Sequence, residues 1–455
     1  MKILHLVHNF PPEFTGGTEL FVAHVARVQA AAGHDVVVVA GTDARDPECR
    51  PVEQTCEGLR VVRLRRFPRP LVLMSDTYDP LLLRALRGVV ARERPEVAHV
   101  HHWFNLSTSC VVVLAEMGVP AALSFHDLFA VCPRFFRYRE DGRCTRPTSL
   151  EPCAACCDED YPFPEWERGG DHALRAEEIA RDAAVARRHL FPSAAHRDTL
   201  APLLGSRPEQ VEVIPHGVLP IPGTVPPRPA LPEAFSAARP LRLGYWGNLV
   251  RAKGIPQLLE AAARLVAAGL FVRVDLWGKA LDPGLEAEIE VYRARLPLEH
   301  HRDFTREALA GIRARVDLAC FVSALEESYS FTVDEAAFLG IPVLVSDRGA
   351  PRERVGRGGR IVPAEDVWAL ESAIRELYED SRALAAMGAA VTRPPPVARA
   401  GERLLEVYEA ILAGGPVAPP PPLDPRPRLE HWFKKLCARE NWLHEAIRER
   451  DARGR

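Results

Sequence analysis

Two glutamates, Glu327 and Glu335, bracket the stretch ESYSFTVDE, which is followed at once by AAFLGIPVLVSD. A carboxylate pair could serve as the acid and the nucleophile or base of a glycosidase, in which the two groups lie about 5 to 9.5 Å apart. On one continuous helix, however, this sequence separation would place the two α-carbons about 12 Å apart and on different faces. The spacing therefore favours a long ligand that the two acids contact at its two ends.

The hydroxyl side chains between these acids indicate a loop that leads into a helix. Short hydroxyl side chains such as Ser328, Ser330 and Thr332 commonly cap the free amides at a helix N-terminus. We therefore place Glu327 in the loop and Glu335 in the first turn of a helix, whose amides could bind an anion. The alternative is a capping box formed by Thr332 and Glu335, with Glu327 as a solvated acid.

Two further polar sites lie where strands of the first half end. Gly16 and Gly17 follow the first apolar strand and precede a helix opened by Thr18. Glycines let the backbone approach a ligand closely, and a helix start favours an anion. The pair lacks the full G-x-G-x-x-G spacing, so a nicotinamide dinucleotide site is not supported. His126 and Asp127 end the strand AALSF, a position that favours a functional role for the histidine over a structural one.

The second half carries a comparable set of residues. The stretch GNLVRAKG, residues 247–254, follows a strand and precedes a helix. Arg251 and Lys253 therefore lie where cations could neutralise a diphosphate, although a lysine is ordinarily a solvated surface charge. Gly278, after the strand VDLW, is another glycine at a strand end.

Half of the cysteines lie close together, in CPRFFRYREDGRCTRPTSLEPCAACC. A C-x-x-C pair is a common half-site for structural zinc, so four thiolates could hold one ion. Free thiols in an ordered insertion and a redox-sensitive pair are the alternatives. Residues 158–160, DED, are best explained as a solvated acidic turn. The candidate zinc ligands are Cys132, Cys144, Cys153 and either Cys156 or Cys157.

Length and composition define the class of protein. A chain of 455 residues is too long for one core and predicts at least two domains. The formal net charge of −3 gives no electrostatic footprint for nucleic acid. The opening MKILHLVHNFPPEF has too short an apolar run for a secretory signal, and no later run is long enough for a membrane span. Ten cysteines are few for this length, so we expect a reducing, cytoplasmic environment.

The elements that must position these residues alternate between strands and helices. Short β-branched runs separated by amphipathic helices predict an α/β fold with parallel sheets, repeated in two halves that face a cleft. A tail with apolar residues on one helix face follows a proline-rich spacer and predicts contact with a partner protein or a membrane surface. The predicted parts are an N-terminal domain at 1–217 with a Cys-rich insertion at 132–160, a linker at 218–240, a C-terminal domain at 241–413, a Pro-rich linker at 414–428, and a helical tail at 429–455.

The order of these motifs resembles the retaining glycosyltransferases of the GT-B fold, and specifically glycosyltransferase family 4. The motifs are the Gly-Gly loop, the strand followed by His-Asp, G-x-L-x-x-x-K-G, E-x7-E-A, G-x-P-V and GGRIVPAED. The resemblance covers about residues 1–412 and implies two Rossmann-like domains, with acceptor binding in the first and binding of a nucleotide-sugar donor in the second.

The resemblance also implies roles for single residues. Glu335 would bind the ribose hydroxyls of the donor, and Glu327 would bind hydroxyls of its sugar. Lys253 would hold the diphosphate and His126 would approach the donor sugar, so the implied catalytic residues are His126, Glu327 and Lys253. The implied donor-binding residues are Gly16, Gly17, Asn248, Arg251, Lys253, Gly278, Ser330, Phe331, Thr332 and Glu335.

The sequence departs from the family pattern at one position of the phosphate site. Asn248 stands where many members of the family carry arginine, and Arg251 could take over its charge. The resemblance implies no metal or other cofactor for catalysis, so a structural zinc ion is the one cofactor under consideration. The acceptor could be a glycan, a lipid-linked sugar or a small molecule. An idle GT-B partner subunit and a sugar-nucleotide epimerase are the alternative functions.

Overall fold

A computed structural model describes residues 1–68, 77–139, 142–144, 153, 156, 165–417, 420 and 424–453. It contains two large sheets, each covered by helices on both faces. One apolar core fills the second half of the chain, and two cores lie on opposite faces of the first sheet. The predicted α/β class and the two halves are confirmed.

The N-terminal half begins with the strand that precedes the Gly-Gly loop. Its strands are β1 (Lys2–Val7), β2 (Asp35–Arg45), β3 (Val52–Cys56), β4 (Leu59–Arg66), β5 (Val97–Val100), β6 (Ala121–Ser124), β7 (Tyr138–Arg139), β8 (Gly142–Arg143), β9 (Arg188–Phe191) and β10 (Val211–Val213). The large sheet has the order β10-β9-β6-β5-β1-β2-β4-β3, and β7 pairs with β8 separately. All neighbours in the large sheet are parallel except β3 and β4, which form an antiparallel hairpin at its edge.

The helices of this half are α1 (Gly17–Ala31), α2 (Pro80–Glu93), α3 (Cys110–Glu116), α4 (Glu165–Val185) and α5 (Ala194–Leu200). Short polar side chains begin two of them: Asp79 accepts from two amides of α2, and Ser193 accepts from an amide of α5. Helix α3 begins at Cys110, directly after Ser109, whose φ of 69° lies outside the helical region.

The C-terminal half contains the wholly parallel second sheet. Its strands are β11 (Leu241–Trp246), β12 (Val272–Trp277), β13 (Leu298–His301), β14 (Leu318–Phe321), β15 (Val343–Ser346) and β16 (Gly359–Val362), in the order β13-β12-β11-β14-β15-β16. Its helices are α6 (Ile255–Ala267), α7 (Leu285–Tyr292), α8 (Leu309–Arg315), α9 (Phe331–Phe338), α10 (Pro351–Arg354), α11 (Val367–Glu379) and α12 (Ser381–Ala389).

The helix α13 (Val397–Ala413) returns to the N-terminal half. Its apolar residues join the core formed by α1 and one face of the first sheet. Gly401 packs closely against Val28 of α1. A Cβ atom added at position 401 would lie only 2.9 Å from a methyl carbon of Val28. The prediction assigned 241–413 to the C-terminal domain, whereas the structure packs the last 17 residues of that range on the N-terminal domain. Helix periodicity cannot show which core a helix joins.

The tail forms the helix α14 (Arg426–Arg453), as the sequence predicted, but its first turns dock within the chain. Trp432 is 6% exposed and belongs to an N-terminal core. Lys435 Nζ donates to Asp171 of α4 at 2.7 Å. Leu429 and Phe433 remain exposed. Part of the face predicted to meet a partner or a membrane is therefore covered by the N-terminal domain.

In the part of the chain that the structure describes, no helix has the length and apolar character needed to cross a bilayer.

Candidate active site

The two domains meet at the loop that carries Glu327. Ser193 Oγ, at the start of α5, donates to the carbonyl oxygen of Ser328 at 2.7 Å. Ser328 Oγ donates in turn to the carbonyl oxygen of His126, two residues beyond β6. The loop is thus held against segments that follow the N-terminal strands β6 and β9. The carboxyl ends of parallel strands are where open α/β sheets bind ligands.

Glu335 is buried in the second turn of α9, not in the first as predicted, and its carboxylate faces other elements. Trp246 Nε1 donates to Oε2 at 2.9 Å, and Arg306 Nη1 donates to Oε1 at 2.7 Å. Burial raises the pKa of Glu335, although Arg306 and Trp246 act against this shift. The capping-box alternative is wrong, because the N-cap of α9 is Ser330 and the carboxylate of Glu335 binds side chains far along the chain.

Lys253 and Glu327 lie close together beyond the carboxyl ends of β11 and β14 in the second sheet. Lys253 Nζ lies 3.8 Å from Glu327 Oε1, and the two side chains are 31% and 13% exposed. Lys253 lies in the turn after β11. The carbonyl oxygen of the preceding residue, Ala252, accepts a hydrogen bond from the amide of Ala324 in the segment after β14. The neighbouring Glu327 raises the pKa of Lys253, so the amine stays protonated at neutral pH. The sequence predicted these two residues at one site, and the structure brings them together.

The start of α9 has no side-chain cap. Ser330 adopts φ 67° and ψ 86°, a left-handed conformation that costs free energy in a residue other than glycine. Its Oγ pairs with Thr332 Oγ1 at 3.0 Å, and Ser328 Oγ binds the carbonyl of His126. The expectation that these hydroxyls cap the helix is therefore wrong. The positive dipole end of α9 therefore has no side-chain cap, and its N-cap residue, Ser330, lies three residues after Glu327.

The Gly-Gly loop approaches α9 from the other domain. A methyl group added to Gly17 would lie 2.9 Å from a ring carbon of Phe331. A side chain on Gly16 would meet the carboxylate of Glu19, which is 3.2 Å from His8. Glycine at position 17 thus permits close contact between the first turn of α1 and the first turn of α9.

The other residues predicted for the phosphate site do not gather around Lys253 and Glu327. The Arg251 guanidinium pairs with Glu288 of α7, and Asn248 is exposed. Gly278 has φ 137°, and a side chain there would collide with the carbonyl of Gly247. Gly278 therefore has a packing role, and Arg251 is engaged by an acid outside the pair formed by Lys253 and Glu327.

His126 lies at the domain contact, but other histidines occupy both of its ring nitrogens. Nε2 lies 3.1 Å from His101 Nδ1, and Nδ1 lies 3.2 Å from His216 Nε2. Burial lowers the pKa of His126 to about 3, against the opposing effect of Asp127. Asp127 itself faces His102 at 3.3 Å. The structure therefore places His126 at the predicted site without a free ring nitrogen.

Several site residues were missed from the sequence. Trp246 ends β11, and an aromatic residue at a strand end is a signal that could have identified it. Arg306 and His216 lie in segments without a recognised motif. Arg354 lies 3.7 Å above the ring of Tyr329 and also bonds its carbonyl oxygen, which fixes the loop after Glu327.

The structure describes all the candidate zinc ligands except Cys157, which lies outside the described residues. Among the described residues, two groups of three have potential ligand atoms within 4.8 Å of one another, and neither group contains a cysteine. These groups are His5, His99 and His101, and Asp275, Glu299 and His301. The four-thiolate zinc site stays a prediction. The acidic stretch 158–160 also lies outside the described residues.

Comparison with known proteins shows that this chain is similar to glycosyltransferases. The model for glycosyltransferase family 4 matches residues 15–220, and the model for glycosyl transferases group 1 matches residues 240–380. Glycogen synthase of Mycobacterium tuberculosis is 26% identical over 413 residues, covering 84% of this chain and 87% of that protein. An MMP alpha-(1->4)-mannosyltransferase of Mycolicibacterium hassiacum is 28% identical over 402 residues, covering 82% and 88%.

Solved structures support the same fold. A sucrose-phosphate synthase from Thermosynechococcus elongatus superposes with a TM-score of 0.59 at 18% identity, covering 96% of this chain and 100% of that one. Anabaena HepE in complex with UDP-glucose gives a TM-score of 0.58 at 18% identity, covering 90% and 100%. The two domain models, the relatives and the shared architecture agree: the chain is a glycosyltransferase with the GT-B fold and is similar to glycosyltransferase family 4.

Proposed function

We propose that this enzyme transfers a sugar from a nucleotide diphosphate sugar to a hydroxyl acceptor and retains the anomeric configuration. One observation carries the proposal: Lys253 and Glu327 form an ion pair beside the uncapped start of α9, at the loop where the two domains meet. A cation and a helix start without a side-chain cap suit a diphosphate, and the adjacent acid suits the hydroxyls of the attached sugar.

Glu335 would bind the ribose hydroxyls of the donor. An ionised carboxylate offers about four acceptor positions. Trp246 and Arg306 use one position on each oxygen, so two remain for the ribose. The same two donors hold the carboxylate in one orientation, so less side-chain entropy is lost when the ligand binds.

Lys253 and the amides of α9 would stabilise the leaving diphosphate. Positive groups fixed before the reaction lower the barrier most where negative charge develops. Gly16 and Gly17 would bring the first turn of α1 over the same phosphates. In the transfer step the acceptor oxygen bonds the anomeric carbon on the face from which the phosphate oxygen departs. That phosphate oxygen takes the acceptor hydroxyl's proton.

The names of the relatives favour a transferase over an epimerase or an idle subunit, because each is a synthase or a transferase. They also favour hexose donors and glycan acceptors, in polysaccharide or glycoconjugate biosynthesis. Solved relatives were crystallised with UDP-glucose and with ADP, and another relative is named as GDP-mannose-dependent. UDP-, ADP- and GDP-linked hexoses therefore form the first panel.

The test is a thermal-shift panel of these sugar nucleotides, since a ligand that binds only the folded state raises the melting temperature. Each stabilising donor is then incubated with oligosaccharide acceptors, and the anomeric coupling of the product is read by proton NMR. Release of nucleoside diphosphate with an α-linked product from an α-linked donor supports the proposal. An inverted product contradicts retention, and the absence of any stabilising sugar nucleotide contradicts the donor class.

A further inference from the structure

Four imidazoles form a hydrogen-bonded line through the N-terminal domain. His5 Nδ1 lies 3.0 Å from His101 Nε2, and His101 Nδ1 lies 3.1 Å from His126 Nε2. His126 Nδ1 then lies 3.2 Å from His216 Nε2. All four side chains are buried. We refer to these four residues as the imidazole chain; it runs from the interior of the first sheet to the domain contact.

Burial keeps the imidazole chain neutral. It lowers the pKa of His5 to about 4 and of His126 to about 3, and it lowers the pKa of His101 and His216 well below the ordinary value. A neutral imidazole has one N–H donor and one acceptor nitrogen. Every ring must therefore donate in the same direction along the chain. A change of tautomer at one end would require the same change in all four rings.

Gln29 defines that direction at the inner end. Its Oε1 lies 2.7 Å from His5 Nε2. An amide oxygen only accepts, so His5 carries its proton on Nε2 and accepts at Nδ1. His101, His126 and His216 then each donate from Nε2 as well. The outermost nitrogen, His216 Nδ1, is left unprotonated.

This outermost nitrogen lies buried beside the cleft loop. His216 is only 5% exposed, and its Nδ1 has no hydrogen-bond partner within the described residues. The ring of His216 stacks on Phe331, the first residue of α9, at 5.5 Å and contacts Tyr329, in the loop after Glu327, at 4.7 Å. A buried acceptor without a donor is unfavourable, so this position calls for a hydroxyl or another donor.

A metal ion explains the imidazoles less well. The group His5, His99 and His101 has ligand atoms within 4.8 Å of one another. The nitrogens of His99, however, face the Tyr408 hydroxyl at 2.6 Å and Ser124 Oγ at 2.7 Å. Both nitrogens of His5 and of His101 are already used along the imidazole chain or by Gln29. These contacts direct the nitrogens to separate partners instead of one centre.

We propose that Gln29 is a positioning residue that sets the tautomer of His216 through the imidazole chain, and that His216 Nδ1 accepts a hydrogen bond from a hydroxyl of the sugar bound in the cleft. The sugar contact rests on the proposed function, whereas the relay of tautomers does not. The proposal gives the sugar-facing contact to His216, because both ring nitrogens of His126 are occupied.

The relay is tested by NMR of protein labelled with ¹⁵N in its histidine rings, with signals assigned by replacing one histidine at a time. We expect Nε2-protonated neutral rings for all four residues. Gln29→Leu should give mixed tautomers at His216, and Gln29→Glu, which keeps an acceptor oxygen, should restore the single one. Gln210→Leu is the matched control, since Gln210 is a buried glutamine bonded instead to the carbonyl of Ala186. Nδ1-protonated rings in the wild type, or an unchanged His216 in Gln29→Leu, would overturn the relay.

The sugar contact is tested by kinetics with the donor from the panel of sugar nucleotides. Gln29→Leu should lower kcat/KM for the donor in proportion to the fraction of His216 that keeps Nδ1 unprotonated, about twofold where the two tautomers are equally populated, and leave the affinity for the free nucleoside diphosphate unchanged. Gln210→Leu should change neither. Equal losses for both ligands, or no loss, would overturn the contact even where the NMR supports the relay. A protein that binds no sugar nucleotide would contradict the proposed function and the contact together, while the ring nitrogens would still decide the relay.

Discussion

Replacing Lys253 by methionine should separate donor binding from stability. The ion pair with Glu327 spans 3.8 Å, and about a third of the lysine side chain is exposed. Pairs that are open to water contribute about 0 to 1 kcal/mol, so the free energy of unfolding should fall by less than about 1 kcal/mol. Charged hydrogen bonds to a diphosphate contribute about 1.5 to 3 kcal/mol, so its dissociation constant should rise about 10- to 100-fold.

The assay is isothermal titration with the nucleoside diphosphate that binds most tightly in the sugar-nucleotide panel, alongside denaturant unfolding. Lys279→Met is the matched control, because Lys279 is exposed just after β12 and its loss changes the net charge equally. The control should bind like the wild type. Wild-type affinity in Lys253→Met, or an equal loss in both variants, would refute the role of Lys253 in binding the diphosphate.

Three further outcomes follow from the packing. Gly17→Ala should raise the KM for the donor by crowding Phe331, whereas Gly88→Ala, with no atom within 4 Å, should leave it unchanged; equal KM values would contradict this. Asp182 lies buried in α4, and burial raises its pKa to about 7. The unfolded chain releases this proton near pH 4, so the folded protein loses stability as pH rises from about 4 to 7. Wild type should therefore lose about 1 to 3 kcal/mol relative to Asp182→Asn between pH 5 and 8 in denaturant unfolding, and parallel curves would refute this. Trp432→Ala should cost about 3 kcal/mol, because the indole packs in an N-terminal core, and an unchanged melting temperature would contradict this packing.

The order of elements was predictable because each strand and helix has its own short-range pattern. β1, α1 and β11 lie where apolar runs and glycine stops indicate. Periodicity could not show that α13 crosses back to the first domain, since an apolar helix face fits either core. It also could not show that the first turns of the tail dock on α4, where Lys435 meets a buried acid.

The candidate site was predicted in part, for a similar reason. Lys253 and Glu327 each lie in a local motif, and the structure brings them together. The partners of Glu335 lie 89 and 29 residues away in sequence, as Trp246 and Arg306, and no local pattern connects them. The capping box was a plausible local alternative, but the carboxylate of Glu335 accepts from these distant donors instead of a helix amide.

The imidazole chain could not be predicted at all. Its members come from β1, from the segment after β5, from the segment after β6 and from the segment after β10. Each lies within or shortly after a different strand, and only the order of the strands in the sheet brings them into line.

The most direct test of the central claim compares two ligands in Glu327→Gln. Because Glu327 is proposed to bind hydroxyls of the donor sugar, the variant should lose turnover and bind the sugar nucleotide about 10-fold less tightly, as expected when a charged hydrogen bond weakens. Its affinity for the free nucleoside diphosphate, which has no sugar for Glu327 to contact, should stay near that of the wild type. Wild-type transfer by Glu327→Gln, or equal losses of affinity for both ligands, would contradict the claim that this acid recognises the donor sugar.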